Sequence, residues 1–443
     1  MMRICDIDYK SLSPKGWDTI KLRQAFSFGK GLSITKDDLV EEGIPVISYG
    51  QIHSRLNTGT GLNDALIRYV PDSYLSSSPK CLMQKNDIVF ADTSEDYAGV
   101  GNCAFIDSDT PIFAGYHSII ARPILKSCYP KYYAYLFQTD YWRNQIRAQV
   151  MGIKVFSITQ TLLRDTFILV PPQHEQKAIS DYLDTICPEL DSIYAKLIEQ
   201  IDTLKAYKKS LITETVTEGL IKSVPMKESG IDGIGRIPAH WDAKRLKYVL
   251  AKPLQYGANE AGDDFEEGHP RYIRITDITE DNLLKEDGKQ SLSWKLARQY
   301  LLEDGDVLFA RSGATVGKTF FYTDDVGPAA FAGYLIKAQT DKKKMLPRFL
   351  FYLTLGVGYE NWKNSIFTQA TIQNIGADKY SQLPVTVPPI TEQEAILEYL
   401  DHECKKIDST LFIKSEQLSA IQKYKSSLIF EYVTGKKRVK EVQ

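Results

Sequence analysis

The stretch VPPQHEQKAISDYLDTICPELDS, residues 170–192, returns as VPPITEQEAILEYLDHECKKIDS at 387–409, an offset of 217 residues (387 minus 170). The offset holds without a gap through YKKSLITETVT (207–217) and YKSSLIFEYVT (424–434), and roughly half the positions are identical. Self-similarity over a stretch this long means that one structural unit has been duplicated.

Fainter mirrors precede each copy. PKGWDTIKL (14–22) matches PAHWDAKRL (238–246), NDIVFAD (86–92) matches GDVLFAR (305–311), and FAGY occurs at 113–116 and again at 331–334. The chain therefore divides into a domain at 1–169, a helical spacer at 170–222, a related but diverged domain at 223–386 and a second helical spacer at 387–443. Two diverged readers on a common frame is the physical idea that this order suggests.

The spacers read as helices. Pro171-Pro172 and Pro388-Pro389 end each domain, and Glu175 and Glu392 follow where a helix dipole favours a carboxylate. Ile179, Leu183, Ile186, Leu190, Ile193 and Leu197 step by four and three, the seam of a coiled coil, and Ile201, Leu204 and Leu211 continue it. The second copy keeps Ile396, Leu400, Ile407, Leu418, Ile421 and Leu428. Pro188 is expected to open the long helix or to kink it, since it cannot sit unstrained in a helix interior. Each helix could pack on its own domain alone, but a seam repeated twice favours pairing of the two copies. The first helix carries the chain to the second domain, and the second has nowhere to run but back. The expected pair is an antiparallel coiled coil, with the chain ends close together in a pseudo-two-fold ring.

The domains read as β-rich. Short runs such as IPVISYG, DIVFAD, PRYIRIT, DVLFAR and KTFFYT are broken by Gly, Asp, Asn and Pro. One amphipathic stretch lies near the end of each domain, PKYYAYLFQTDYWRNQIRAQ and PRFLFYLTLGVGYENWKNSI. The fold class is α+β.

ARSGATVGKTF (310–320) looks like a phosphate-binding loop, but Gly313 is followed by only three residues before Gly317-Lys318-Thr319. A P-loop needs four there, and a helix after it. Here the stretch lies between two strands, and Asn102 stands opposite Lys318 in the first copy. The alternatives are a plain glycine-bearing hairpin or a loop offering Arg311, Ser312 and Lys318 to a polyanion. Glu175-Gln176-Lys177 imitates the E-x-K of a nuclease, but the second copy reads Glu392-Gln393-Glu394. His53, His117, His174, His240, His269 and His402 show no metal-ligand spacing, and there is no G-x-S-x-G, dinucleotide fingerprint or N-P-P-Y-type loop. No catalysis is expected of the chain.

Of the 443 residues, 43% are hydrophobic and 25% charged, as in an ordinary globular protein. The start MMRICDIDYK lacks the pattern of a signal peptide, and no apolar run approaches a membrane span. The six cysteines, Cys5, Cys81, Cys103, Cys128, Cys187 and Cys404, include no C-x-x-C pair. A reduced, cytoplasmic chain is expected. The net charge of −2 does not announce a nucleic-acid binder, though binding depends on how charge is segregated.

The doubled pattern, W–D…L opening a domain, GDVLFARSGATVGK within it and VPP…EQ…I…YLD…ID closing it, resembles the specificity subunit of type I restriction–modification enzymes over essentially the whole chain. The resemblance implies two target-recognition domains, each reading one half of a bipartite sequence in double-stranded DNA. It implies that the coiled coil spaces them and docks two modification (methyltransferase) subunits, joined by restriction/translocase subunits. S-adenosylmethionine, ATP and magnesium are expected on those partners, with no cofactor and no metal in this chain. A non-DNA coiled-coil scaffold with two β-rich ligand-binding domains is the alternative.

Neither domain is basic: residues 1–169 carry 18 Lys/Arg against 17 Asp/Glu, and 223–386 carry 21 against 21. Residues 141–164 and 361–377, however, contain no acid. Arg and Lys suit phosphate or guanine, and Gln and Asn suit adenine. The candidate DNA contacts are Gln51, His53, Ser94, Asn102, Arg143, Arg147 and Lys154 in the first domain. In the second they are Arg274, Arg311, Ser312, Lys318, Gln369, Thr371, Gln373 and Asn374. Solvated loops and helix ends are the bland reading of the same residues.

Overall fold

The computed structural model describes residues 13–150, 155–231, 233–367 and 374–439. The chain forms two compact units, Met1–Leu197 with Glu416–Gln443, and Ile198–Ser415. Whereas the repeats suggest four segments, the units each combine a β-rich domain with parts of both long helices.

In the first unit, β1 (Asp18–Lys21) begins on the aspartate of the W–D motif. The central sheet contains β2 (Phe26–Lys30), β3 (Ile88–Ala91), β4 (Cys103–Phe105) and β5 (Ser118–Pro123), in the spatial order β2-β5-β3-β4 with every pairing antiparallel. Ile88 and Phe90 of β3 face one apolar cluster with Tyr133 and Trp142, while Val89 and Ala91 face another with Ile47 and Ile120. Coverage on both faces is why this strand reads as an unbroken apolar run. A smaller sheet pairs Ile44–Ile47 in parallel with Ile112–Ala114. β6 (Phe167–Val170) pairs antiparallel with β1, so the opening and closing motifs of the domain meet, Asp18 opposite Val170. Helices α1 (Pro130–Leu136) and α2 (Asp140–Arg147) replace the single amphipathic stretch, and the 46-residue α3 (Gln173–Glu218) begins just after β6.

The second unit repeats the plan. β7 (Asp242–Arg245) pairs antiparallel with the closing strand at 384–387. β8 (Gln255–Tyr256), β9 (Val307–Ala310), β10 (Thr319–Phe321) and β11 (Leu335–Ala338) stand in the order β8-β11-β9-β10. The parallel pair of its smaller sheet is Arg271–Ile273 with Ala329–Phe331. The closing strand is β12 (Pro384–Val387); here too the amphipathic stretch is broken, into α4 (Pro347–Leu355) and α5 (Val357–Phe367), before α6 (Ile390–Val433).

The repeated Pro-Pro-x-x-Glu-Gln sequence has a physical reason. The Gln176 amide is fully buried; its Oε1 accepts the Tyr129 N–H at 2.8 Å, and its Nε2 donates to the Ser127 and Pro171 carbonyls at 3.0 and 2.8 Å. Gln393 does the same with the Leu346 N–H and the Lys344 and Pro388 carbonyls. The neighbouring carboxylates take the indole N–H of the motif tryptophans, Trp17 on Glu175 and Trp241 on Glu392. The aspartate of each Y-L-D accepts a tyrosine hydroxyl, Tyr135 on Asp184 and Tyr352 on Asp401. Each long helix is thereby fastened to its own domain at its first turns.

The helices also pair antiparallel within each unit. In the first, Lys425 bonds Asp191 at 2.6 Å, Gln422 donates to the Tyr194 hydroxyl at 2.9 Å, and the rings of Tyr182 and Tyr432 lie 4.6 Å apart. In the second, Lys208 bonds Asp408 and Lys414 bonds Gln200, both at 2.6 Å. Two expectations change. Pro188 does not open the helix; α3 begins at Gln173 and runs continuously through it. Ile193 stays 48% exposed, and the half-buried Tyr194 takes the seam. From Leu190 to Leu197 the steps three-then-four and four-then-three both keep a heptad, so apolarity alone selected the wrong neighbour. Ile179, Leu183, Leu197, Ile396, Leu400, Ile407 and Leu428 are buried, and Leu190, Leu204, Leu418 and Ile421 are half-buried.

Candidate nucleic-acid interface

The loop that imitates a P-loop is the connection of an antiparallel hairpin, β9 to β10, with Phe309 opposite Thr319. No phosphate-binding helix follows it. Gly313 and Gly317 adopt φ of +74° and +81°, and a Cβ on Gly317 would collide with the Lys363 side chain, which accounts for the glycine there. The first unit has the equivalent connection, β3 to β4.

Backbone hydrogen bonds align the two loops position by position. The Ala91 N–H donates to the Asn102 carbonyl as the Ala310 N–H does to that of Lys318. Thr93 bridges Ser157 as Ser312 bridges Asn374. The Asp92 carbonyl accepts the Ile158 N–H as the Arg311 carbonyl accepts that of Ile375. On this frame Asp92 matches Arg311: a carboxylate in one unit, a guanidinium in the other.

In the first unit the candidates gather around the β3–β4 loop but mostly hold one another. Arg143 donates to the Phe137 carbonyl, to Asn102 Oδ1 at 2.8 Å and to Gln138 Oε1 at 2.7 Å. Burial pulls its guanidinium below the ordinary arginine pKa. Asn102 Nδ2 in turn faces His53 Nδ1 at 3.0 Å, and His53 Nε2 reaches the Thr93 carbonyl at 2.8 Å. Because arginine only donates, the direction of this chain is fixed: Asn102 must donate to His53 Nδ1, and His53 donates from Nε2. Arg147 bonds Asp140 and the Ala98 carbonyl. Ser94 is buried and donates to the Asp96 carbonyl, while Gln51 accepts the Ser48 N–H at the start of a short helix. Arg143 and Arg147, expected to offer donors to phosphate or guanine, here use donors to hold the loop.

In the second unit Arg274 is tied to Asp277 and the Gly288 carbonyl, and Lys318 to Glu280 at 2.6 Å. Arg311 differs. Its guanidinium stacks 4.8 Å over the Tyr256 ring, and among the described residues it has no hydrogen-bond or ion-pair partner. Lys154, Gln369, Thr371 and Gln373 lie outside the described residues. Also among the described residues, no cluster of His, Cys, Asp and Glu could hold a metal ion, and no helix is long and apolar enough to cross a membrane. Burial pushes the thiols of Cys103 and Cys187 up to about 11 and that of Cys128 up to about 12, which makes them poor nucleophiles.

The model of the type I restriction modification DNA specificity domain matches this chain twice, at residues 14–203 and 257–420. The chain belongs to that family. Among its relatives, the StySPI specificity subunit of Salmonella potsdam is 24% identical over 414 residues, spanning 90% of this chain and 86% of the relative. The EcoKI specificity subunit of Escherichia coli K12 is 22% identical over the same fractions of the two chains. A chain from a solved structure described as underlying complex assembly and conformational transition of the type I R-M system shares the fold. It superposes with a TM-score of 0.70 at 16% identity, covering 95% of this chain and 98% of that one. Specificity subunits are the non-catalytic DNA-recognition components of type I systems.

The specificity subunit carries further groups at these loops that basicity alone does not mark in the sequence. Tyr256 and Tyr334 are 42% and 61% exposed beside Arg311. Tyr97 is exposed over Arg147, and His117 pairs with Asp92 at 3.1 Å with its ring edge-on to Tyr49. The repeated FAGY was the available signal, since it delivers Tyr116 and Tyr334 to these loops.

Proposed function

We propose that this specificity subunit reads an asymmetric bipartite target in double-stranded DNA, one half-site by each unit, and docks two modification subunits along its paired helices. The observation that carries the reading is the duplicated frame with diverged loop chemistry: Asp92 and Asn102 stand where the second unit has Arg311 and Lys318. A common frame with different donors and acceptors is what two unlike half-sites require. Docking is supported by apolar side chains left exposed on the helices, Tyr207, Tyr399, Phe412 and Ile413 in the second unit and Ile193 and Tyr424 in the first. The adenine-methylating chemistry, with S-adenosylmethionine, belongs to those modification subunits, and ATP and magnesium to the restriction subunits.

Co-expression with a neighbouring methyltransferase tests this. The two proteins should co-purify, and methylation mapping should return a split target. Exchanging residues 1–169 for another member's domain should change one half-site only; a change in both, or no sequence-selective methylation, would refute modular reading.

A further inference from the structure

Among the candidate cations of the described residues, Arg143, Arg147, Arg274 and Lys318 spend their donors inside the protein, whereas Arg311 does not. Its backbone is fixed on both sides: its N–H donates to the Tyr334 carbonyl at 3.0 Å, and its carbonyl accepts the Ile375 N–H at 2.8 Å. The Tyr256 ring beneath the guanidinium is itself held, since its hydroxyl accepts the Ala377 N–H at 2.9 Å. Nε is buried, so the two terminal nitrogens are the donors left for a ligand. A guanidinium braced on an aromatic face keeps its plane while giving up no hydrogen-bond donor. Two parallel donors match the O6 and N7 acceptors that guanine alone presents in the major groove.

We propose that Arg311 is a specificity-determining residue that reads a guanine in the half-site of the second unit, with Tyr256 positioning its guanidinium. This rests on the reading of one half-site per unit. The matching place in the first unit holds Asp92, whose carboxylate accepts from Thr93 Oγ1 and faces His117 Nδ1. An acceptor cannot take guanine's acceptors, so the contact is confined to the second half-site.

The test is methylation mapping of the complex with its modification subunits, using the exchange of residues 1–169 to tell which half-site belongs to which unit. The half-site of the second unit should contain a G·C pair. Arg311→Ala should relax preference at that one pair by roughly tenfold or more and leave the first half-site intact, which also reports that the complex is folded. Tyr256→Phe keeps the ring but loses its hydroxyl tether and should keep most of the preference, whereas Tyr256→Leu should lose more of it. A second half-site without a G·C pair would overturn the assignment. So would uniform weakening across all sequences with a shallower salt dependence, the mark of a phosphate contact. Failure of the unaltered complex to select two separate half-sites would refute the bipartite reading itself.

Discussion

Gln176 and Gln393 do with one amide each what a loop and a helix start would otherwise need several side chains to do. Each accepts one backbone N–H and donates to two carbonyls in a fully buried setting. Truncation leaves those backbone groups without partners, at about 1–3 kcal/mol for each group stranded. With three groups stranded, Gln176→Ala and Gln393→Ala should therefore each lower stability by about 3 kcal/mol or more, read as a fall in urea midpoint. A loss under half a kilocalorie would mean that water replaces the amide.

Along the helices, apolar burial and surface charge contribute very differently. Leu400 is fully buried in the core of the second unit, and Leu400→Ala should cost about 2–5 kcal/mol. Lys208 and Asp408 bridge the same helix pair with side chains 26% and 54% exposed. Their coupling in a double-mutant cycle should stay below about 1 kcal/mol. A coupling as large as the leucine effect would show that the pair is held by ionic contacts rather than by its seam. Pro188 makes a related point. One missing N–H is tolerated because Leu183 and Cys187, in the turn just ahead of it, are buried and keep the helix in place.

For the molecule as a whole, the division between units falls at Leu197 and Ile198, inside the continuous α3. If the helices set the distance between half-sites, four residues inserted between Leu197 and Ile201 add ~6 Å of rise. The unread spacer of the target should then lengthen by about one to two base pairs, less if the coil bends, with both half-sites unchanged. Methylation mapping decides it, and an unchanged spacer at full activity would show that the helices are not the ruler.

The duplication, the β-rich class of each domain, the long helices and most of their seam were all legible in the sequence. Repetition and apolar periodicity are local properties that survive in one dimension. The hairpin around 310–320 was legible for the same reason, since a run of strand, glycines and strand carries its own turn chemistry. Which charges are available to a ligand was not legible. Arg143 and Arg311 look alike in sequence, but their three-dimensional neighbours decide them: Asn102, 41 residues away, and Gln138 engage the first, and the Tyr256 ring leaves the donors of the second open. The choice between Ile193 and Tyr194 likewise waits on Gln422, more than two hundred residues away. A hydrogen bond or a stacked ring depends on three-dimensional neighbours, and only the tertiary structure supplies them.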